Sequence, residues 1–346
     1  MANPEQTSIL VTGATGMVGS YLLRYLVYEG YTNIKALKRD HSPLDLVNPV
    51  LDKVNWINCD LLDIVGLEAA MTGVDQVYHC AAFISFDKRE VKEMYKVNQE
   101  GTANVANIAL HLGVKKLVYV SSIAAIGRPK NARIIDEKTK WEHSPHNTNY
   151  GISKYLAEQE IWRAQAEGLT VAVVNPAMIL GGGFWDRGPL KLLKLVSQQH
   201  GFYPTGANGF VDVRDVARFL ILLMEDNIEG ERFILSAASL PYHDLLSKMA
   251  DGLGVAAPRW PLKPWMGALA WRIAALARLF AVANPPVTKE TISITSLPNT
   301  YSNQKSKTDF EFHYLPIDQS IREMTQLFLE ATKDNYAPKI LPLAWP

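Results

Sequence analysis

The sequence predicts an α/β fold, a doubly wound parallel sheet that carries a smaller, mostly helical C-terminal lobe. Three observations lead there. Short apolar runs recur through the first half, at Ser8–Val11, Ile34–Leu37, Val54–Ile57, Gln76–His79, Leu117–Val120 and Val171–Val174. The stretches between them carry helical spacing, as in Val18/Tyr21/Leu22/Tyr25/Leu26 and Ala103/Ala106/Ile108/Leu110. From Ser239 the alternation fades and prolines cluster. Strands alternating with helices are βαβ units, and right-handed crossovers gather the C-terminal strand ends on one edge of the sheet. The expected division is a sheet domain over 1–238, with lobe insertions around 181–210, and a smaller lobe over 239–346.

The first strand runs into Thr12-Gly13-Ala14-Thr15-Gly16-Met17-Val18-Gly19, and Met17 to Glu29 then reads as a helix. The N–H groups and positive dipole end of such a helix attract a phosphate. Gly13 permits a tight turn, Gly16 lets the backbone approach a pyrophosphate, and Gly19 allows close helix–strand packing. The spacing is G-x-x-G-x-x-G, one residue wider at the first gap than the usual fingerprint. This predicts a Rossmann-type dinucleotide site lined by Thr12, Gly13, Thr15, Gly16, Met17, Val18 and Gly19. The second strand ends at Lys38-Arg39-Asp40. An acid there would grip a free ribose 2′-OH, whereas the basic pair Lys38 and Arg39 suits a 2′-phosphate. NADP is therefore favoured, with NAD as the alternative that Asp40 keeps open. After the third strand, Asp60 beside Leu61 is placed to meet the adenine, and Asp60 or Asp63 to cap the next helix. His79-Cys80-Ala81-Ala82 closes the fourth strand with small residues across which a dinucleotide can lie. Cys80 reads as a buried apolar group rather than a nucleophile.

The fifth strand ends in Ser121-Ser122, and Asn149-Tyr150-Gly151-Ile152-Ser153-Lys154 follows downstream. Tyr150 and Lys154 are i and i+4 on a helix and share one face. A phenol ordinarily ionises near pH ~10. A neighbouring ammonium stabilises the phenolate and is expected to bring it toward the working range. A serine hydroxyl beside the same carbonyl orients substrate and stabilises developing negative charge.

These residues resemble the extended short-chain dehydrogenase/reductase superfamily, also called the NAD-dependent epimerase/dehydratase family, over roughly residues 7–235. The resemblance rests on Thr12 to Gly19, Asp60, His79 to Ala82, Asn98, Val120-Ser121-Ser122 and Tyr150-Gly151-Ile152-Ser153-Lys154. It implies that Tyr150 is the acid/base, that Lys154 binds the nicotinamide ribose and lowers the tyrosine pKa, and that Ser122 and Asn98 complete the catalytic set. Family members carry a V-Y-G-like triplet two residues after the catalytic hydroxyl. Ala125-Ile126-Gly127 occupies it here and selects Ser122 over Ser121. Val174 to Gly181 and Ala36 to Asp40 are similar to dihydroflavonol and cinnamoyl-CoA reductases, which adds Asn175 and Pro176 to the cofactor-binding set. Sugar-nucleotide dehydratases carry Asp-Glu after the catalytic hydroxyl residue. Ile123-Ala124 stands there instead, against dehydration. The reading is a carbonyl reductase or alcohol dehydrogenase, with an NAD-dependent sugar-nucleotide epimerase as the alternative.

In the second half, Gly181-Gly182-Gly183-Phe184-Trp185 and Gly201 to Pro204 read as loops near the cleft, and Gly209 to Ala217 opens a helix running to Met224. Arg214 is a candidate for a substrate diphosphate or for an ion pair with a neighbouring acid. Arg232–Leu235 is a further strand candidate, and Ile317 to Leu329 a helix packing the lobe on the sheet domain. Trp265, Leu269, Ile273, Leu276 and Phe280 follow helical spacing, read as lobe core, as an apolar substrate wall or as a membrane-surface helix. Phe83, Phe86, Phe184 and Trp185 near the cleft point to a small-molecule substrate of apolar or aromatic character, with core packing as the alternative for some of them.

Lys+Arg and Asp+Glu balance at 35 each across 346 residues, which argues against nucleic acid as a partner. Two cysteines are too few for a disulfide scaffold. Trp265 to Ala283 is interrupted by Arg272 and Arg278 and falls short of a spanning segment. No secretory signal or metal-ligand pattern is visible, so a cytoplasmic protein is expected, with a homodimer as an open option.

Overall fold

The computed structural model describes residues 4–128, 134–262, 266 and 289–346. Strands β1 (Ile9–Thr12), β2 (Ile34–Lys38), β3 (Asn55–Asn58), β4 (Gln76–His79), β5 (Lys116–Val120) and β6 (Val171–Pro176) lie on the expected apolar runs. Shorter strands follow: β7 (Met178–Leu180), β8 (Phe202–Tyr203), β9 (Ala207–Asp212), β10 (Glu231–Leu235), β11 (Ala238–Pro241) and β12 (Trp260–Pro261). The helices are α1 (Met17–Tyr28), α2 (Ile64–Met71), α3 (Val91–Tyr95), α4 (Gly101–His111), α5 (Asn149–Ala166), α6 (Lys191–Ser197), α7 (Val213–Glu225), α8 (Tyr242–Leu253), α9 (Lys289–Thr295), α10 (Gln304–Phe310) and α11 (Ile317–Lys333).

Seven strands form one sheet in the order β10-β6-β5-β4-β1-β2-β3, parallel at every pairing. Side chains alternate across it. Ile9, Val11, Tyr78, Val118 and Val174 pack on one face with α1 and α7. Leu10, Val77, Leu117, Tyr119 and Val173 pack on the other with α2, α4 and α5. Both faces are covered, which is why these strands read as nearly continuous apolar runs. The chain winds outward from β1 to β3 and returns to β4, so the strand order reverses between β1 and β4. In open parallel sheets that reversal point is where ligands bind. Thr12 and His79 are register partners there.

A third core joins Leu180, Trp185 and Leu193 to Leu245, Met249, Ile321, Met324 and Phe328. It sits under a small sheet of order β11-β9-β7. Here the sequence reading needs correcting. Ala207–Asp212 is strand β9, and the helix begins only after Asp212, one of the two caps that the sequence offers, which accepts from Arg214 N. Phe202–Tyr203 pairs with Trp260–Pro261 instead of forming a loop. Asp45–Lys53 is a 3-10 segment that no periodicity signalled. The apolar run of Trp265, Leu269, Ile273, Leu276 and Phe280 lies outside the described residues. Among the described residues no helix is long and apolar enough to cross a membrane.

The tail, unassigned from sequence, is fastened along α1. Tyr21 Oη accepts from Leu341 N at 2.6 Å, and Arg24 donates to Leu341 O at 2.9 Å. Tyr25 Oη exchanges hydrogen bonds with Ala344 O and N at 2.8 and 3.1 Å. Trp345 lies edge-on to Tyr25 and tilted against Tyr28.

Candidate active site

The glycine turn is tight for steric reasons. Gly13 has φ +65°, and a Cβ on it would lie 2.6 Å from Ala81 Cα and N. A Cβ on Gly19 would lie 2.3 Å from Gly13 O. Gly16 is the N-cap of α1 and brings no side-chain cap to the helix end. β1, the turn and the start of α1 are thus drawn against the end of β4, with a helix N-terminus facing the cleft. A backbone turn packed this closely by its glycines, at a helix start that no side chain caps, suits a pyrophosphate, so the residues present fit a dinucleotide.

Lys38 is half-buried and Arg39 exposed at the end of β2. Arg39 N donates to Ser42 Oγ at 2.9 Å, and Asp40 is held by Asn58 Nδ2. Asp60 Oδ1 accepts from Leu62 N at 3.0 Å, while Asp63 caps α2 by accepting from Gly66 N at 3.0 Å. Leu61 is buried, lying where a Cβ on Gly101 would meet it. Burial pushes the Cys80 thiol up to about 12, so it is a protonated thiol rather than a nucleophile at neutral pH.

Thr148 caps α5 by accepting from Gly151 N at 3.0 Å, which starts the helix one residue before Tyr150. Tyr150, Lys154 and Glu158 then share the face turned to the ends of β5 and β6. The Ser122 hydroxyl acts on the Tyr150 phenol and draws its pKa down, but burial outweighs this and pushes the phenol up to about 12. Phe86 stands edge-on to Tyr150, with ring centroids 6.4 Å apart. Ser121 is turned elsewhere and donates to Glu158 Oε2 at 2.6 Å.

Lys154 is buried, and Nζ donates to Tyr119 Oη at 2.5 Å and Val120 O at 2.9 Å. Desolvation pushes its ammonium down to about 7, against the opposing pull of Glu158 and Cys80. Nζ is directed at Tyr119 and Val120 and makes no hydrogen bond to the Tyr150 hydroxyl, and burial leaves that phenol above its ordinary value instead of below it. Tyr119 also contacts Thr102. Thr102 Oγ1 lies 2.9 Å from His79 Nε2, and His79 Nδ1 lies 2.7 Å from Thr12 Oγ1. A buried polar chain therefore runs from the lysine to the glycine turn.

Asn98 does not turn to Tyr150. Its amide clamps the loop after β4, accepting from Phe83 N at 2.7 Å and donating to Phe83 O at 2.9 Å and Ser153 Oγ at 3.0 Å. It sits in a single π-helical turn, Lys96–Glu100. Asn175 Nδ2 donates to Ser122 O at 3.0 Å and Glu158 Oε2 at 2.9 Å, with Pro176 following at the end of β6. Glu158 was missed from sequence. Its signal was an acid one helical turn after Lys154. Arg214 pairs with Asp212 at 2.7 Å and Glu323 at 2.6 Å, the ion-pair option. Trp185 takes the core-packing option: it is 3% exposed, edge-on to Phe328, and donates to Ala337 O. Among the described residues no group of acids, histidines and cysteines has the arrangement to hold a metal.

Comparison with known proteins adds to this geometry. Residues 9–235 match the model of the NAD dependent epimerase/dehydratase family. A Synechocystis protein with the provisional name dihydroflavonol 4-reductase is 33% identical, over 74% of this chain and 75% of its own. Cinnamoyl-CoA reductase 1 of Petunia hybrida is 26% identical, over 96% of this chain and 98% of its own. The crystal structure of gox2253 superposes with a TM-score of 0.80 at 29% identity, covering 94% of this chain and 98% of that one.

Proposed function

The chain belongs to the NAD dependent epimerase/dehydratase family, and on that premise we propose that it is an NAD(P)-dependent oxidoreductase that reduces a carbonyl or oxidises the corresponding alcohol. The observation that carries this reading is Ser122 acting on Tyr150, with Lys154 one helical turn away, at strand ends facing the glycine turn. The reductase names of its relatives support it.

The nicotinamide ring supplies or accepts the hydride when the dinucleotide is bound. Tyr150, held protonated by burial, gives its phenolic proton to the substrate oxygen. Ser122 orients that oxygen and donates to it as negative charge develops. Lys154 provides positive charge on the same helix face to offset the phenolate left behind. Asn98 acts indirectly, fixing the Phe83 backbone that forms one wall. Phe83 and Phe86 give that wall aromatic character and fit an apolar or aromatic substrate. In this reading Thr12 to Gly19 hold the pyrophosphate, Asp60 and Leu61 border the adenine, Cys80 to Ala82 lie under the dinucleotide, and Asn175 and Pro176 border the nicotinamide. Lys38 and Arg39 at the end of β2 favour NADP, while Asp40, held there by Asn58, keeps NAD as the alternative.

Fluorescence titration with NADPH and NADH, followed by a carbonyl panel, tests the proposal. Tyr150→Phe is expected to bind the cofactor with wild-type affinity and to lose at least about a hundredfold in kcat. Failure of both cofactors to bind refutes the reading. NAD retained through purification, with turnover that consumes no cofactor, would instead place the chain with the epimerases of its family.

A further inference from the structure

Glu158 is 1% exposed, and both its oxygens accept hydrogen bonds. Oε2 takes Ser121 Oγ at 2.6 Å and Asn175 Nδ2 at 2.9 Å. Oε1 takes Trp162 Nε1 at 3.2 Å and Arg232 Nη1 at 3.1 Å. Four donors converge on its two oxygens, the arrangement that an acceptor-only carboxylate satisfies in full. The donors come from the residue after β5, from β6 and β10, and from α5 itself, which fixes the carboxylate in space. Arg232 is in turn held by Glu137 O at 3.0 Å. A carboxylate this buried needs such partners to remain charged.

We propose that Glu158 is a positioning residue of the site, its locked carboxylate serving as the fixed counter-charge of the Lys154 ammonium. Lys154 sits one helical turn away on the same face of α5, its Nζ bonded to Tyr119 and Val120, so the carboxylate acts on it through space and not by contact. The other groups facing Lys154 are Tyr119 on β5, His79 and Cys80 at the end of β4, and Tyr150 on its own helix. Tyr119 is neutral and offers an oxygen and a ring face, 4.3 Å from Nζ to the ring centroid. Burial holds His79 neutral, down at about 3, and Cys80 protonated. Tyr150 is protonated as well. Glu158 is therefore the carboxylate among these groups, and it opposes the desolvation that drives Lys154 toward its neutral form. A neutral lysine would bring no positive charge to the phenolate that forms at Tyr150.

This inference rests on the assignment of Ser122, Tyr150 and Lys154 as the reacting set, yet its test needs neither substrate nor cofactor. Failure of the reductase reading and failure of this one are thus separate results. The experiment is a pH titration of protein labelled with 13C at lysine Cε, followed by NMR, with the Lys154 signal assigned from Lys154→Arg. In Glu158→Gln the Lys154 midpoint is expected to fall by about one pH unit or more, since an opposite charge at this range is removed. In Arg232→Gln, where Glu158 is no longer shared with a guanidinium, the midpoint is expected to rise. A folded Glu158→Gln protein with an unchanged midpoint would make Glu158 a structural strut alone and overturn the proposal. Should Glu158→Gln fail to fold, Arg232→Gln decides: an unchanged or lower midpoint overturns the proposal, and a higher one supports it.

Discussion

Two glycines with nearly the same backbone angle separate the cost of conformation from the cost of crowding. Gly13 has φ +65° and Gly254, at the end of α8, has φ +68°. An alanine at either position pays for left-handed geometry, about 1–2 kcal/mol. At Gly254 that is the whole effect, because a Cβ there meets nothing within 4 Å. At Gly13 the new methyl lies 2.6 Å from backbone atoms of Ala81, while ordinary contact begins at 3.4 Å, so the turn and the end of β4 must part by about 0.8 Å. Neither partner is a flexible side chain. Crowding of this kind adds roughly 1–3 kcal/mol, giving about 2–5 kcal/mol in all for Gly13→Ala. Urea denaturation midpoints followed by circular dichroism should rank wild type above Gly254→Ala and that above Gly13→Ala. The displaced turn is also the proposed pyrophosphate cradle, so NADPH fluorescence titration should show Kd raised at least about tenfold in Gly13→Ala, a loss of ~1.4 kcal/mol, and unchanged in Gly254→Ala. Equal midpoints and equal affinities for the two variants would refute the steric argument.

Further predictions concern pH and the tail. His79 is neutral in the fold, its pKa lowered from 6.5 to about 3, so as pH falls through that window only the unfolded chain takes up a proton and stability declines. His79→Asn should show a flatter decline in urea midpoints measured from pH 6.5 downward. Asp215 has the opposite sign. Burial raises its carboxyl from 3.8 to about 7, so the fold keeps a proton that the unfolded chain has released, and its contribution is lost as pH rises through that window. In Asp215→Asn this loss should vanish from the same measurement. Tyr21→Phe removes the acceptor of Leu341 N and should cost about 1–3 kcal/mol in thermal or urea unfolding.

The sheet was legible because its central strands β1, β4, β5 and β6 are buried on both faces and announce themselves as apolar runs. The glycine turn was legible because sterics leave few other residues able to occupy Gly13 and Gly19. Strand β9 was not, since Gly209 and Asn208 carry no strand signal and the pairing with β7 and β11 is long-range. Within the site, the i,i+4 spacing placed Tyr150 and Lys154 on one face. It could not say where the lysine nitrogen points, because Tyr119 is brought beside it by packing from a different strand. Asn98 was read from resemblance alone, and its grip on the Phe83 backbone was not legible, because no local spacing signals a contact 15 residues away. Trp185 was read from its glycine-rich neighbourhood as a cleft aromatic, and the partner that buries it, Phe328, is supplied by α11, far away in the chain.

The strap of residues 341–345 along α1 bears on how the molecule is made. Tyr21 and Leu341 are 320 positions apart, so the outer flank of α1 stays bare until residue 341 has been made. Contacts at such separation close late and slowly. A nascent chain halted before residue 341 would hold every strand of the main sheet and still lack the cover over its first helix, marking it as unfinished to any chaperone or protease that recognises exposed tyrosine and leucine.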